Sequence, residues 1–147
     1  MYILLLGGTG NLGRRLIPAL VAHGHQVTAY VRSVEKLQSL ISPDLFARIS
    51  TYKGDALDSA AVEDALRKHK CDGVMNTSGN RVWTGPQVLG NIAASVSSAA
   101  IRVGRERGRT LRAWFIGGLG GLEYPGTGGY KVRDYVFAIA RGIEDHQ

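Results

Sequence analysis

The chain of 147 residues contains a single cysteine, Cys71, so it can form no internal disulfide and no metal site built from several thiolates. The position of Cys71 just before an apolar stretch marks it as a packed structural thiol, and a reducing compartment fits. Long apolar runs are missing too. The first, Tyr2 to Leu6, stops at Gly7 and has no basic segment before it, which makes it too short for a secretory h-region or a membrane span; no later segment is long enough either. A cytoplasmic protein without membrane contact is expected. There is no internal repeat and no low-complexity tract, and 44% hydrophobic content over this length supplies one domain, residues 1–147, with a core of its own. No cluster of metal-ligand type stands out, and no metal is expected.

Acidic residues are outnumbered, 12 Asp and Glu against 18 Lys and Arg, leaving a net charge of +6. That excess favours anionic ligands without choosing between a phosphorylated cofactor, nucleic acid and an acidic surface. Five arginines gather at Arg102, Arg105, Arg107, Arg109 and Arg112. Glycines at 104 and 108 interrupt them and no aromatics lie between them to stack on bases, so the expectation is a solvated helix end and loop, not a nucleic-acid interface.

What is present is an alternation of strands and helices. Tyr2 to Leu6 reads as a buried strand, and Asn11 to about His23 as a helix with Leu12, Leu16, Ile17, Leu20 and Val21 on one side, ended by Gly24. A second strand covers Gln26 to Val31, and Ser33 opens a short helix through about Leu40. Ser42-Pro43 breaks the chain before a turn over Asp44 to Arg48, and Ile49 to Tyr52 forms a short third strand. Asp58 caps a helix through about Lys68 that turns Val62, Ala65 and Leu66 inward, and Gly73 to Asn76 is a fourth strand. Pro86 suits the first turn of the longest helix, whose apolar stripe runs from Val88 and Leu89 through Ile92, Ala93, Val96, Ala99 and Ala100 to Val103 before Gly104. Leu111 to Ile116 makes a fifth strand. A glycine-rich loop from Gly117 to Gly129 and a last helix bearing Val132, Val136, Ile139 and Ile143 follow. Such an order predicts an α/β fold, a doubly wound parallel sheet with helices on both faces, whose ligand cleft lies beyond the carboxyl ends of the strands.

The first strand runs directly into Gly7-Gly-Thr-Gly-Asn-Leu-Gly13 and then into a helix. A G-x-x-G-x-x-G string alone is unspecific in a chain with 20 glycines, but the strand before it and the helix after it are the setting a dinucleotide's pyrophosphate requires. Gly7 makes the tight turn, Gly10 lets the backbone approach the phosphates and Gly13 lets the helix pack closely, with Thr9, Asn11 and Leu12 completing the cradle. At the end of the second strand an NAD-selective site places an acidic side chain; here Arg32 and Ser33 stand instead, able to pair with and donate to a 2′-phosphate. NADP(H) is therefore favoured over NAD(H). Arg14 and Arg15 in the helix's first turn oppose its dipole, either because a bound polyanion offsets them or because they are simply solvated. Asp55, beside Ala56, is a candidate acceptor for the adenine amino group. Asn76, Thr77, Ser78 and Gly79 either run along the nicotinamide ribose or form an ordinary polar turn.

These stretches, together with Tyr30-Val-Arg32 and Gly54-Asp55, resemble the atypical short-chain dehydrogenase/reductases, in their NAD(P)H-binding, NmrA-like branch, from Met1 to about Gly121. The resemblance implies a Rossmann-like fold, NADP(H) binding through Gly7, Gly10, Gly13, Arg32 and Asp55, and a reductase acting on a small carbonyl or conjugated substrate, with secondary metabolism as a setting known for fungal members. Two departures bear on catalysis. The wider superfamily's Tyr-x-x-x-Lys pair is absent, and Ile116-Gly-Gly-Leu119 stands where a serine follows the fifth strand. Tyr124 and Tyr130 are the remaining candidates for proton donation. Relatives also continue further, so residues 117–147 supply only part of a substrate region, and a homodimer partner, an open site or a non-catalytic NADP(H) sensor are the alternatives.

Overall fold

The computed structural model describes residues 1–79 and 88–116. Its elements follow the order β1 (Tyr2–Leu6), α1 (Gly13–Ala22), β2 (Gln26–Val31), α2 (Val34–Gln38), α3 (Pro43–Ala47), β3 (Ser50–Lys53), α4 (Ser59–Lys68), β4 (Gly73–Asn76), α5 (Leu89–Glu106) and β5 (Arg112–Phe115). The strands form one sheet in the order β3-β2-β1-β4-β5. Every pairing is parallel, from Tyr2 opposite Gln26 in β1 and β2 to Asn76 opposite Phe115 in β4 and β5. The chain builds outward from β1 to β3, then returns to place β4 on the other side of β1. That reversal puts the switch in strand order between β1 and β4, where a crevice opens beyond their carboxyl ends.

Side chains alternate across a strand, and β1 is apolar on both faces because both are covered. Leu4 and Leu6 pack with Val62, Leu66, Val96 and Val103 beneath α4 and α5, whereas Leu5 joins Ile17, Val21, Ala29 and Leu37 beneath α1 and α2. The predicted doubly wound α/β sheet is the fold observed. Residues Met1–Phe115 form a compact unit. Among the described residues no helix is long and apolar enough to cross a membrane.

The inward faces differ from expectation at the helix starts. Helix α1 begins at Gly13, not Asn11, and buries Gly13, Ile17 and Val21; Leu12 ahead of it is exposed. It also continues through Pro18, which forfeits one internal hydrogen bond. Leu89 likewise faces outward on α5, while Ile92, Val96, Ala99, Ala100 and Val103 form the buried stripe. Helix α4 turns in Val62, Ala65 and Leu66 as its periodicity requires.

Arg102, Arg105, Arg109 and Arg112 are exposed, as expected of a solvated helix end and loop, but the cluster also makes specific pairings. Arg102 and Arg67 converge on Glu63, and Arg67 also pairs with Glu106 at 2.7 Å, lacing α4 to α5. Arg107 donates to the carbonyls of Leu66 at 2.8 Å and Cys71 at 2.7 Å, closing the end of α4. Arg109 meets Asp72 at 2.8 Å, whose other oxygen accepts from the Tyr2 N–H at 2.9 Å. Guanidiniums can reach back along the chain to carboxylates and carbonyls contributed by α4 and the β4 approach, a long-range pairing that local composition does not reveal. The sequence-predicted loop over 117–129, the helix after it, Pro86, Tyr124 and Tyr130 lie outside the described residues.

Candidate functional site

The turn from β1 into α1 forms the floor of the crevice. Gly7 has φ +78°, and a Cβ there would lie 2.7 Å from the Ser78 nitrogen, so only glycine allows the end of β4 to close against it. Gly10 donates its N–H to the Gly7 carbonyl at 2.8 Å, tightening the loop. Gly13 packs on the same carbonyl. The helix that follows is left uncapped: Leu12 at its N-cap supplies no side-chain acceptor and its first turn holds no acid. By contrast, Ser33, Ser42 and Asp58 cap α2, α3 and α4 through their side-chain oxygens. Among the described residues the N–H groups of Asn11, Leu12 and Gly13 meet no acceptor. Three amides and the positive end of the helix dipole thus share the mouth of the turn. Asn11 accepts from Arg14 at 3.2 Å, which holds that guanidinium beside the helix start.

The wall on the β4 side is braced from within. Thr77 donates both its N–H, at 3.0 Å, and its hydroxyl, at 2.7 Å, to the Leu6 carbonyl. Asn76 is buried, and its Oδ1 accepts from the Ser78 N–H at 3.0 Å. Asn76 and Thr77 therefore shape the wall, leaving Ser78 and Gly79 along the crevice.

Across from it, Tyr30 carries the β2 side. Its hydroxyl donates to the Asp55 carbonyl at 2.9 Å, and its ring stacks on Tyr52 with centroids 5.5 Å apart. Gly54 lies against that hydroxyl, where a Cβ would collide with the ring. Burial, followed by the charge of Asp58, pushes the Tyr30 phenol far above its ordinary pKa. Asp55, whose Oδ1 accepts from the Leu57 N–H at 3.0 Å in a local turn, lines the crevice. Arg32 stands exposed at the rim.

The crevice enclosed by these walls measures about 270 Å³. It brings Gly7, Thr9, Gly10, Arg32, Asp55 and Ala56 together with Thr77 and Ser78. Gly13 and Asn76 are buried behind the surface, Ser33 is partly exposed beside Arg32 but does not line the crevice, and Asn11 and Leu12 stand at the helix start. The sequence carries Tyr30 and Gly54 only within the Tyr30-Val-Arg32 and Gly54-Asp55 stretches, with no role of their own, and Ile92 only as core; the structure makes all three part of the crevice lining. A larger hollow of about 560 Å³ lies between α5 and β5, where Ala100, Ile101, Leu111 and Ala113 line it together with Ser97, Arg105, Arg109 and Thr110.

An uncapped helix end above a glycine cradle, a carboxylate oxygen at one end and an exposed guanidinium at the rim fit a nicotinamide dinucleotide. The sequence matches the family described as NAD(P)H-binding over residues 7–117. The chain belongs to the NAD(P)H-binding family. The match starts at Gly7 and ends just past β5, so it takes in every residue lining the crevice except Leu6. Among curated proteins, pinoresinol reductase 2 of Arabidopsis thaliana is 33% identical over 73 residues, 45% of this chain and 22% of that protein. Among solved structures, a Lactobacillus casei protein superposes with a TM-score of 0.72 at 24% identity, over 96% of this chain and 59% of that one. The Bordetella bronchiseptica enzyme WbmG, solved with NAD and UDP, gives 0.55 at 23% identity, over 69% and 34% of the two chains. Both share the family's fold. This chain spans about a fifth of the plant reductase and a third of WbmG.

Proposed function

We propose that this chain is an NADP(H)-dependent oxidoreductase of the atypical short-chain, NmrA-like kind, reducing a small carbonyl or conjugated substrate. The observation that carries the cofactor preference is Arg32, exposed at the crevice rim where an NAD-selective site holds an acid. In this reading the amides of Asn11 to Gly13 receive the pyrophosphate, the Arg32 fork takes the 2′-phosphate and Asp55 accepts from the adenine amino group. Ser78 and the backbone beside Asn76 line the nicotinamide ribose. When bound, the cofactor supplies the hydride at its nicotinamide C4. The likeness to a plant reductase supports the direction of the chemistry.

Tyr30 is unsuited to proton donation, because its hydroxyl is held by the Asp55 carbonyl and burial keeps its proton on. The absence of a Tyr-x-x-x-Lys pair from the sequence favours a second reading, a non-catalytic module whose NADP(H) occupancy changes its affinity for a partner.

Calorimetry with NADPH and NADH, followed by NADPH oxidation with quinones, flavins and aldehydes, tests both. NADPH should bind more tightly and be consumed with at least one acceptor. Binding without turnover supports the sensor, for which partner capture should differ with and without NADPH. A folded protein that binds neither dinucleotide at millimolar concentration sinks both readings.

A further inference from the structure

The hollow of about 560 Å³ between α5 and β5 lies within the compact unit Met1–Phe115 and shares no lining residue with the crevice. One helix touches both. Val88 and Ile92, at the start of α5, line the crevice, whereas Ser97, Ala100, Ile101, Gly104 and Arg105 form one face of the same helix against the hollow. Ile92 and Arg105 stand roughly 20 Å apart along the axis.

The hollow exists because the chain returns from α5 to β5 without filling it. Gly108 has φ +62°, and the Arg109 N–H donates to the Gly104 carbonyl at 3.0 Å, so the turn folds back tightly on the end of α5. A Cβ on Gly104 would lie 2.8 Å from the Arg109 carbonyl oxygen. Ala113, the lining residue from β5, is small and exposed.

Its lining has two characters. Ala100, Ile101, Leu111 and Ala113 are apolar, while Arg105, Arg109 and Thr110 are exposed and polar. The acids of this region are already paired: Glu63 and Glu106 with Arg67 and Arg102, and Asp72 with Nη2 of Arg109. Of the arginines on α5 and in the turn after it, Arg105 alone has a side chain that meets no acceptor among the described residues. A guanidinium left over beside an apolar hollow complements an anion that carries its own apolar body.

We infer that the hollow is a second binding site, for a small amphiphilic carboxylate whose chain lies on Ile101, Leu111 and Ala113 and whose head group accepts from Arg105, with Arg109 adding its charge. A hollow of this volume is of the size that encloses a small molecule, which favours such a ligand over a protein segment. The site does not depend on dinucleotide binding in the crevice.

Titration calorimetry of the full chain with decanoate, octanoate and decanol tests it, with circular dichroism confirming that each variant is folded. Decanoate should bind at one site per chain, and more tightly than octanoate by roughly tenfold, the size expected for two further buried methylenes. It should also bind more tightly than decanol. Arg105→Ala should weaken decanoate by roughly 3- to 10-fold, as for one exposed charge-assisted contact, and leave decanol unmoved. Ala113→Phe, which fills the hollow without altering charge, should weaken both. If that variant does not fold, Ile101→Ser, which strips apolar lining from an exposed position, should do the same. Saturating NADPH should not displace decanoate. No binding by the wild type overturns the assignment, as does decanoate binding that matches decanol or ignores these substitutions. Displacement by NADPH would put the carboxylate in the crevice and overturn it as well. A chain that takes up decanoate as expected but binds no dinucleotide leaves this site standing and removes only the cofactor reading.

Discussion

The carbonyl oxygen of Gly7 occupies the space into which a Cβ on Gly13 would project, so the phosphate-loop turn and the first turn of α1 are in backbone contact. The Gly7 carbonyl carbon also lies only 2.8 Å from that position. Gly13→Ala must therefore shift the helix or the turn, and should cost about 3 kcal/mol of stability. Gly8 offers the control. A Cβ there meets Ala29, Ile17 and Val31 at 3.7 Å, ordinary contact, and its φ is not left-handed. Gly8→Ala should leave stability unchanged or raise it by about 0.5 kcal/mol through a less flexible unfolded chain. Urea denaturation of both variants measures the contrast.

Arg32→Ala should weaken NADPH by about 10- to 100-fold, as expected for charge-assisted hydrogen bonds to a phosphate, and change NADH by less than about threefold. Titration calorimetry reads both. Equal weakening would mean that Arg32 holds some other part of the cofactor.

Two neighbouring arginines should behave differently. Arg107→Ala strips charged donors from the carbonyls of Leu66 and Cys71 and should destabilise the chain by about 2 kcal/mol. Arg105, exposed in the last turn of α5, favours the helix dipole only weakly, and Arg105→Ala should cost less than about 0.5 kcal/mol. Thermal melts of the two variants separate a structural role from a merely cationic surface.

The Tyr2 N–H, and then the Arg109 guanidinium, hold the Asp72 carboxyl below the usual carboxylate range. A depressed folded pKa stabilises the protein above the unfolded value of about 3.9 and ceases to do so as pH falls through the folded value. Asp72→Asn should therefore lower stability at pH 7, and the gap from wild type should close as pH falls through the lowered folded-state range of the carboxyl. A gap that stays constant with pH would show that the carboxylate's charge contributes nothing.

The sheet and its order of elements were readable because each strand carries its own apolar run and each helix its own period, from Leu4-Leu5-Leu6 to the Ile92, Val96, Val103 stripe. The glycine turn was readable for the same reason: Gly7, Gly10 and Gly13 are local in sequence and their consequences are local in space. What stayed hidden depends on residues far apart. Nothing near Arg107 points to the Leu66 and Cys71 carbonyls, and nothing near Thr77 points to the Leu6 carbonyl 71 residues earlier. The Ser33 hydroxyl donates to Glu35 Oε2 at 2.8 Å, a matter of rotamer that composition and spacing do not encode. Leu12 was placed in the core by helical periodicity, but that period does not operate before Gly13, where the helix starts.

Cys71 is fully buried in the cluster beneath α4 and α5, and burial pushes its thiol up to about 11. A thiol reagent can therefore reach it only in molecules that have come apart around that cluster, and the rate of labelling becomes a clock for how often they do. One native side chain thus serves as a built-in stopwatch for opening of the main core, and slower labelling in the presence of dinucleotide would register occupancy of the crevice without any dye or tag.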